Sequence, residues 1–181
     1  MYTLRKLFTF CFCTLLFGVA YAAETDIFAA NKKLGRGVNL GNALESPKEG
    51  EWGMKIEAEF FPLIKHAGFD HVRIPVKWMS HTAQESPYTI DKDFFERIDT
   101  ILKQAEEAKL RVVLNHHHYD QLDKQPKEQL PRAVAIWEQI ATRYKDRGDW
   151  LYFELMNEPH EELNKDNAWT ETIPPLLAAV R

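Results

Sequence analysis

Leu151-Tyr-Phe-Glu-Leu-Met-Asn-Glu-Pro-His160 opens as a short apolar run of aromatic and branched residues and ends in four residues of a different kind. The first half has the pattern of a buried strand. Pro159 has no N–H to give to a neighbouring strand and disfavours helix at the residue before it, so the strand is expected to stop there. Glu158 is thereby placed at the carboxyl end of a buried strand, where parallel-sheet enzymes keep their chemistry. Beside it, Asn157 offers an amide that can hold a substrate hydroxyl or orient the carboxyl group.

Working outward, three further stretches read as strands: Arg36 to Leu40, ending at Gly41-Asn42; His71 to Ile74, closed by Pro75; and Leu110 to Asn115. Helical spacing runs from Lys55 to Ala67, where Pro62 shifts or kinks the start and Gly68 is the stop. It returns from Asp91 to Ala108, from about Arg132 to Tyr144, and in an incomplete segment near Leu176. Strand and helix alternate four times, which predicts an α/β fold with a parallel sheet. A complete (β/α)8 TIM barrel needs about 250 residues. These 181 residues supply only about the first four βα units, so the chain reads as half a barrel and is expected to be a truncated gene product or a fragment.

Alternation along the strands sorts their side chains. With Val38 and Leu40, Val72 and Ile74, Val112 and Leu114, and Phe153 and Leu155 turned toward the helices, the opposite set faces the barrel axis. That set is Asn39, Arg73, Asn115, His117, Glu154 and Glu158. An interior with only a structural role would be Val, Ile and Leu. A polar one must hydrogen-bond within itself, and points to a site. Arg73 is the natural partner of Glu154. On an extended strand Glu154 lies four residues, about 13 Å at ~3.3 Å per residue, below Glu158 and cannot reach the same substrate atom.

The stretch around Glu158 resembles the acid/base segment of glycoside hydrolase family 5, which contains many endo-β-1,4-glucanases and mannanases. Four other stretches carry the resemblance: Arg36-Gly-Val-Asn-Leu-Gly-Asn-Ala-Leu-Glu45, His71-Val-Arg-Ile-Pro-Val76, Val113-Leu-Asn-His-His-His-Tyr119 and Tyr144-Lys-Asp-Arg147. They occur in the family's order and spacing from about Asn31 to Arg181. The resemblance implies a TIM barrel and a retaining endo-acting hydrolase of β-1,4-linked polysaccharide, with cellulose or β-glucan the leading substrate and mannan the alternative. It casts Glu158 as the catalytic acid/base and Asn42, Glu45, Arg73, His117, His118 and Asn157 as substrate-binding residues, Arg73 also positioning the nucleophile. The family's nucleophile lies on the seventh strand, outside the stretches present here, so this chain alone is expected to be inactive. No cofactor is implied.

Other readings of the same residues stand beside this one. His116 and His118 form a His-x-His pair of the kind that binds zinc in some barrel hydrolases. Parity turns His116 toward the helices, where a satisfied, half-buried histidine is expected instead. Trp52, Trp78, Tyr119 and Trp169 fall at or after strand ends, where aromatic rings stack on sugars or simply pack. A non-catalytic carbohydrate binder is the remaining rival.

Composition narrows the field. The chain is 45% hydrophobic and 28% charged with a formal net charge of −4, an ordinary globular balance that argues against nucleic acid as partner. Arg5 and Lys6, the apolar run Leu7 to Val19 and the Ala20-Tyr21-Ala22 site make residues 1–22 a signal peptide, too short for a spanning helix of about 20 apolar residues. The expected product, residues 23–181, is then secreted or periplasmic, free of the membrane and a monomer at full length. Both cysteines, Cys11 and Cys13, lie in the part removed.

Overall fold

The computed structural model describes residues 26–181; the signal peptide expected over residues 1–22, with both cysteines, lies outside the described residues. Four strands, β1 (Gly37–Asn39), β2 (His71–Val76), β3 (Arg111–His116) and β4 (Leu151–Glu154), form one sheet in the order β1-β2-β3-β4. All three pairings are parallel, with Asn39 opposite Arg73, Arg73 opposite Val113, and Asn115 opposite Glu154. Helices α2 (Phe60–His66), α3 (Lys92–Glu107), α5 (Pro126–Tyr144) and α6 (Ala168–Val180) follow the strands in turn. This is the expected run of βα units, with the short α1 (Ile27–Leu34) before it and α4 (Asp120–Lys124) after β3. No helix among the described residues is long and apolar enough to cross a membrane.

The core lies between the sheet and the helices. Val72, Ile74, Val112 and Leu114 are fully buried against Phe61, Ile98, Ile101, Leu102, Ile136, Trp137 and Ile140. This is the side that alternation assigns to them. α2 ends as expected: Gly68 takes φ 86° and donates its N–H to the Lys65 carbonyl at 3.0 Å, closing the last turn.

Several boundaries differ from the expectation, each for a local reason. β2 runs through Pro75 to Val76. The Arg73 carbonyl accepts from Leu40 N, so Pro75, two residues on, directs its missing N–H to the side where β1 has already ended. α2 begins at Phe60 rather than Lys55, because Pro62 fits only the first turn of a helix. α5 begins at Pro126, six residues before Arg132, with proline at its first position and Pro131 inside. α6 runs for 13 residues across Pro174 and Pro175. α1 and α4 had no strong apolar period; α1 is started by Asp26, whose carboxylate accepts from Phe28 N at 2.9 Å.

The largest correction concerns β4, which stops at Glu154 rather than at Pro159. The next residues leave the strand and Glu158 adopts φ 41°. The extended-strand spacing of about 13 Å between the two glutamates therefore does not apply.

Which face is the core is open to a direct check. Leu114→Ala is expected to cost about 2–5 kcal/mol in urea unfolding, and Val113→Ala on the other face about 1 kcal/mol or less.

Candidate active site

Arg73 sits on β2 with its guanidinium on the sheet's open face. Nε and Nη2 each donate to one oxygen of Glu154 at 2.6 Å, Nη2 also to Asn157 Oδ1 at 2.8 Å, and Nη1 to Asn39 Oδ1 at 3.0 Å. The fork thus joins β1, β2, β4 and the turn after β4. Arginine and glutamate keep 25% and 33% of their side-chain surface, so the pair is partly solvated rather than deeply buried. Hydrogen bonding to Glu154 raises the Arg73 pKa, and Glu158 and Glu45 add to the rise through space. Glu154 is committed, while Glu158 is exposed with no hydrogen bond to its carboxylate among the described residues.

Asn157 reaches this site by leaving the strand pattern. It is an odd number of residues from Glu154, yet both bond the same arginine. Ending β4 at Glu154 allows this, and Asn157 N is then held by the His116 carbonyl at 2.9 Å.

The three histidines part ways. His117 Nδ1 lies 2.7 Å from Asn115 Oδ1. An amide oxygen only accepts, so Nδ1 carries the proton and Nε2 is left as an acceptor. Burial, then the neighbouring His118 and Arg73, push the His117 pKa down to about 4, which keeps the ring neutral at ordinary pH. His118, at φ 52°, is exposed, edge-on to His117 at 4.3 Å and to Trp52 at 6.2 Å. His116 faces the helices, as expected, but is fully rather than half buried. It stacks on Tyr119 at 5.1 Å and its Nε2 has no hydrogen-bond partner among the described residues, so it is not the satisfied histidine expected. Burial pushes its pKa down to about 3. With His116 inside an aromatic layer and His118 exposed, the His-x-His pair does not converge.

The loop after β1 is organised by Glu45. Its Oε2 accepts from Ala43 N at 2.9 Å and its Oε1 from Asn42 N, and it is 4% exposed. The loop turns at Asn42, which is exposed with φ 64°. At Gly41 a Cβ would lie 2.8 Å from Asn39 Nδ2 and 3.2 Å from Glu45 Oε1, so any side chain there would have to push these polar groups aside. Of the four aromatic candidates, Trp52 alone is largely exposed. Trp78 donates to the Asn115 carbonyl at 3.2 Å from full burial, Tyr119 is buried, and Trp169 packs on the core.

Sequence reasoning missed two residues near Glu158. Asp123 on α4 accepts from His160 N at 3.1 Å, and His160 Nδ1 lies 2.9 Å from the Glu158 carbonyl oxygen. A five-residue polar helix gave no periodic signal for Asp123. His160 was in view, but nothing in the sequence linked it to Asp123. A concavity of about 870 Å³ between α3 and α5, around Tyr88, Phe95 and Pro131, includes none of the site residues. It lies on the helical side, away from the converging polar groups that chemistry requires.

Residues 31–181 match the family model described as cellulase (glycosyl hydrolase family 5). Endoglucanase H of Acetivibrio thermocellus is 41% identical over 134 residues, covering 74% of this chain and 15% of that protein. The crystal structure of endoglucanase Cel5A from Thermotoga maritima superposes with a TM-score of 0.84 at 48% identity, over 87% of this chain and 50% of that one. Cel5A has also been solved with cellobiose and with mannotriose. The chain thus spans about half the length of these solved relatives.

The Asn115–His117 contact carries its own test. Asn115→Asp places a carboxylate against Nδ1–H, which favours the imidazolium. The His117 pKa is expected to climb from about 4 toward or above its ordinary value in an imidazole NMR titration.

Proposed function

The chain belongs to the cellulase family, glycosyl hydrolase family 5, and from that membership we propose that Glu158 is the acid/base carboxyl group of an O-glycosyl hydrolase that cleaves β-1,4-linked polysaccharide within the chain. The observation that carries the reading is the division of labour at Arg73: Glu154 and Asn157 are bound to it, and Glu158 is left free and exposed beside them.

Retaining hydrolysis needs two carboxyl groups about 5–5.5 Å apart. In the proposed first step Glu158 gives its proton to the glycosidic oxygen as the bond to the anomeric carbon breaks. The second carboxylate attacks that carbon and forms a glycosyl ester. Glu158 then takes a proton from water, which attacks the anomeric carbon and releases the ester. By family resemblance the second carboxylate belongs to the seventh strand, beyond the four described. Glu154 is a poor substitute, since both its oxygens are held by Arg73.

The remaining side chains suit a neutral sugar. His117 offers Nε2 as an acceptor for a hydroxyl, and His118 and Trp52 form an exposed ring edge and face against which a sugar can lie. Asn42 is exposed to solvent at the same edge of the loop that Glu45 braces. Glucan is the leading substrate, on the strength of the endoglucanase relatives. Mannan is the second reading, favoured by the mannotriose complex of Cel5A. The same proposal has residues 1–22 direct export, giving a secreted or periplasmic enzyme that works as a monomer.

In the full protein, Glu158→Gln is expected to lower turnover of unactivated polysaccharide by about 100-fold or more. Aryl glycosides with good leaving groups, which need no acid in the first step, should keep more of theirs, and azide should rescue their second step. Equal loss on both substrates, with no azide effect, would remove Glu158 from the acid/base role.

A further inference from the structure

Glu158 adopts φ 41°, a left-handed conformation that residues with side chains keep only where their surroundings enforce it. Its carboxylate has no hydrogen-bond partner among the described residues, so its backbone sets the direction in which the side chain points. Upstream, that backbone is pinned by Asn157, through the His116 carbonyl and Arg73. Downstream, the chain doubles back. The His160 imidazole donates from Nδ1 to the Glu158 carbonyl at 2.9 Å. The same Nδ1 lies 3.5 Å from Asp123 Oδ2, and His160 N donates to Asp123 Oδ1 at 3.1 Å.

Asp123 is the unusual member. It is only 1% exposed, and a buried carboxylate is costly unless donors meet it. Those donors come from His160. Asp123 belongs to α4, which begins directly after His117, His118 and Tyr119; Tyr119 O accepts from Leu122 N and Asp123 N at 2.9 and 3.2 Å. The contact therefore ties the loop that carries the histidines to the loop that carries Glu158.

We propose that Asp123 and His160 are positioning residues for Glu158: the Asp123 carboxylate holds His160, and His160 Nδ1–H holds the Glu158 carbonyl, fixing the strained turn and so the line along which the carboxyl group meets its substrate. The proposal rests on Glu158 being the acid/base group. The electrostatics agree with it. Burial raises the Asp123 pKa against the opposing pull of His160, and the Glu158 carbonyl, then Asp123, Glu161 and Asp120, raise that of His160. Nδ1 keeps its proton in the neutral and the charged ring alike.

A clamp of this kind is distinguishable from a support that merely stabilises the fold. Misplacing a general acid slows reactions whose leaving group needs a proton and spares those whose leaving group does not. The experiment compares Asp123→Asn, His160→Ala and Glu158→Gln in the full protein, on a cello-oligosaccharide and on an aryl glycoside with a good leaving group. Asn at 123 keeps an oxygen for His160 N–H but removes the charge, so it is the gentler of the two clamp variants.

Asp123→Asn and His160→Ala should each lower kcat on the oligosaccharide by about 10- to 100-fold, with KM steady, and on the aryl glycoside by about 3-fold or less. Glu158→Gln should show the same selectivity to a greater degree. Equal losses on both substrates, or no loss on either, in the two clamp variants while Glu158→Gln stays selective would overturn the clamp alone. Absence of selectivity in Glu158→Gln would overturn the acid/base reading and the clamp with it.

Discussion

A single guanidinium organises the carboxyl end of this sheet. Arg73 bonds Glu154 through two parallel contacts, Asn157 through a third and Asn39 through a fourth, so one planar group joins three of the four strands and the turn beyond the last. Lysine could not do this, because its point charge cannot present several donors in one fixed plane. The consequence for chemistry is a separation of two similar side chains. Glu154 balances the arginine; Glu158, four residues on, is left exposed. Between them the chain leaves the strand: Asn157 also bonds Arg73, and Glu158 stands in a left-handed conformation.

Around that hub the histidine triplet divides into three environments. His116 is a neutral ring in an aromatic layer behind the sheet, and its carbonyl steadies Asn157. His117 is neutral on the open face because burial, His118 and Arg73 all oppose a proton, and Asn115 fixes which nitrogen faces outward. His118 is exposed and sits edge-on to Trp52. Three identical residues thus acquire different chemistry from strand parity and from the end of β3 at His116.

The βα alternation and the faces of β2 and β3 were legible in the sequence, because a sheet covered by helices on one side buries every second residue. Val72, Ile74, Val112 and Leu114 obey that rule, and Arg73 and Asn115 follow by exclusion. The rule fails where the strand ends. Nothing local in Leu155-Met156-Asn157 announces that pairing stops at Glu154; that depends on the reach of Arg73 from another strand. The sequence placed Glu45 among the sugar-binding residues by resemblance, but not its burial on two backbone N–H groups of its own loop, which depends on how that loop folds back. Asp123 was invisible for a related reason, since its partner His160 is 37 residues away in the chain. Contacts of long sequence separation leave no mark in periodicity.

The central claim is that Arg73 makes Glu154 structural and leaves Glu158 for chemistry, and the Glu154→Gln variant of the full protein tests it most directly. The variant should lose about 1–2 kcal/mol of stability, discounted because a third of the side chain is exposed. It should keep the wild-type dependence on leaving group and show no response to azide. An azide-rescued, leaving-group-selective loss of activity in Glu154→Gln would contradict the claim and move the acid/base role down the strand.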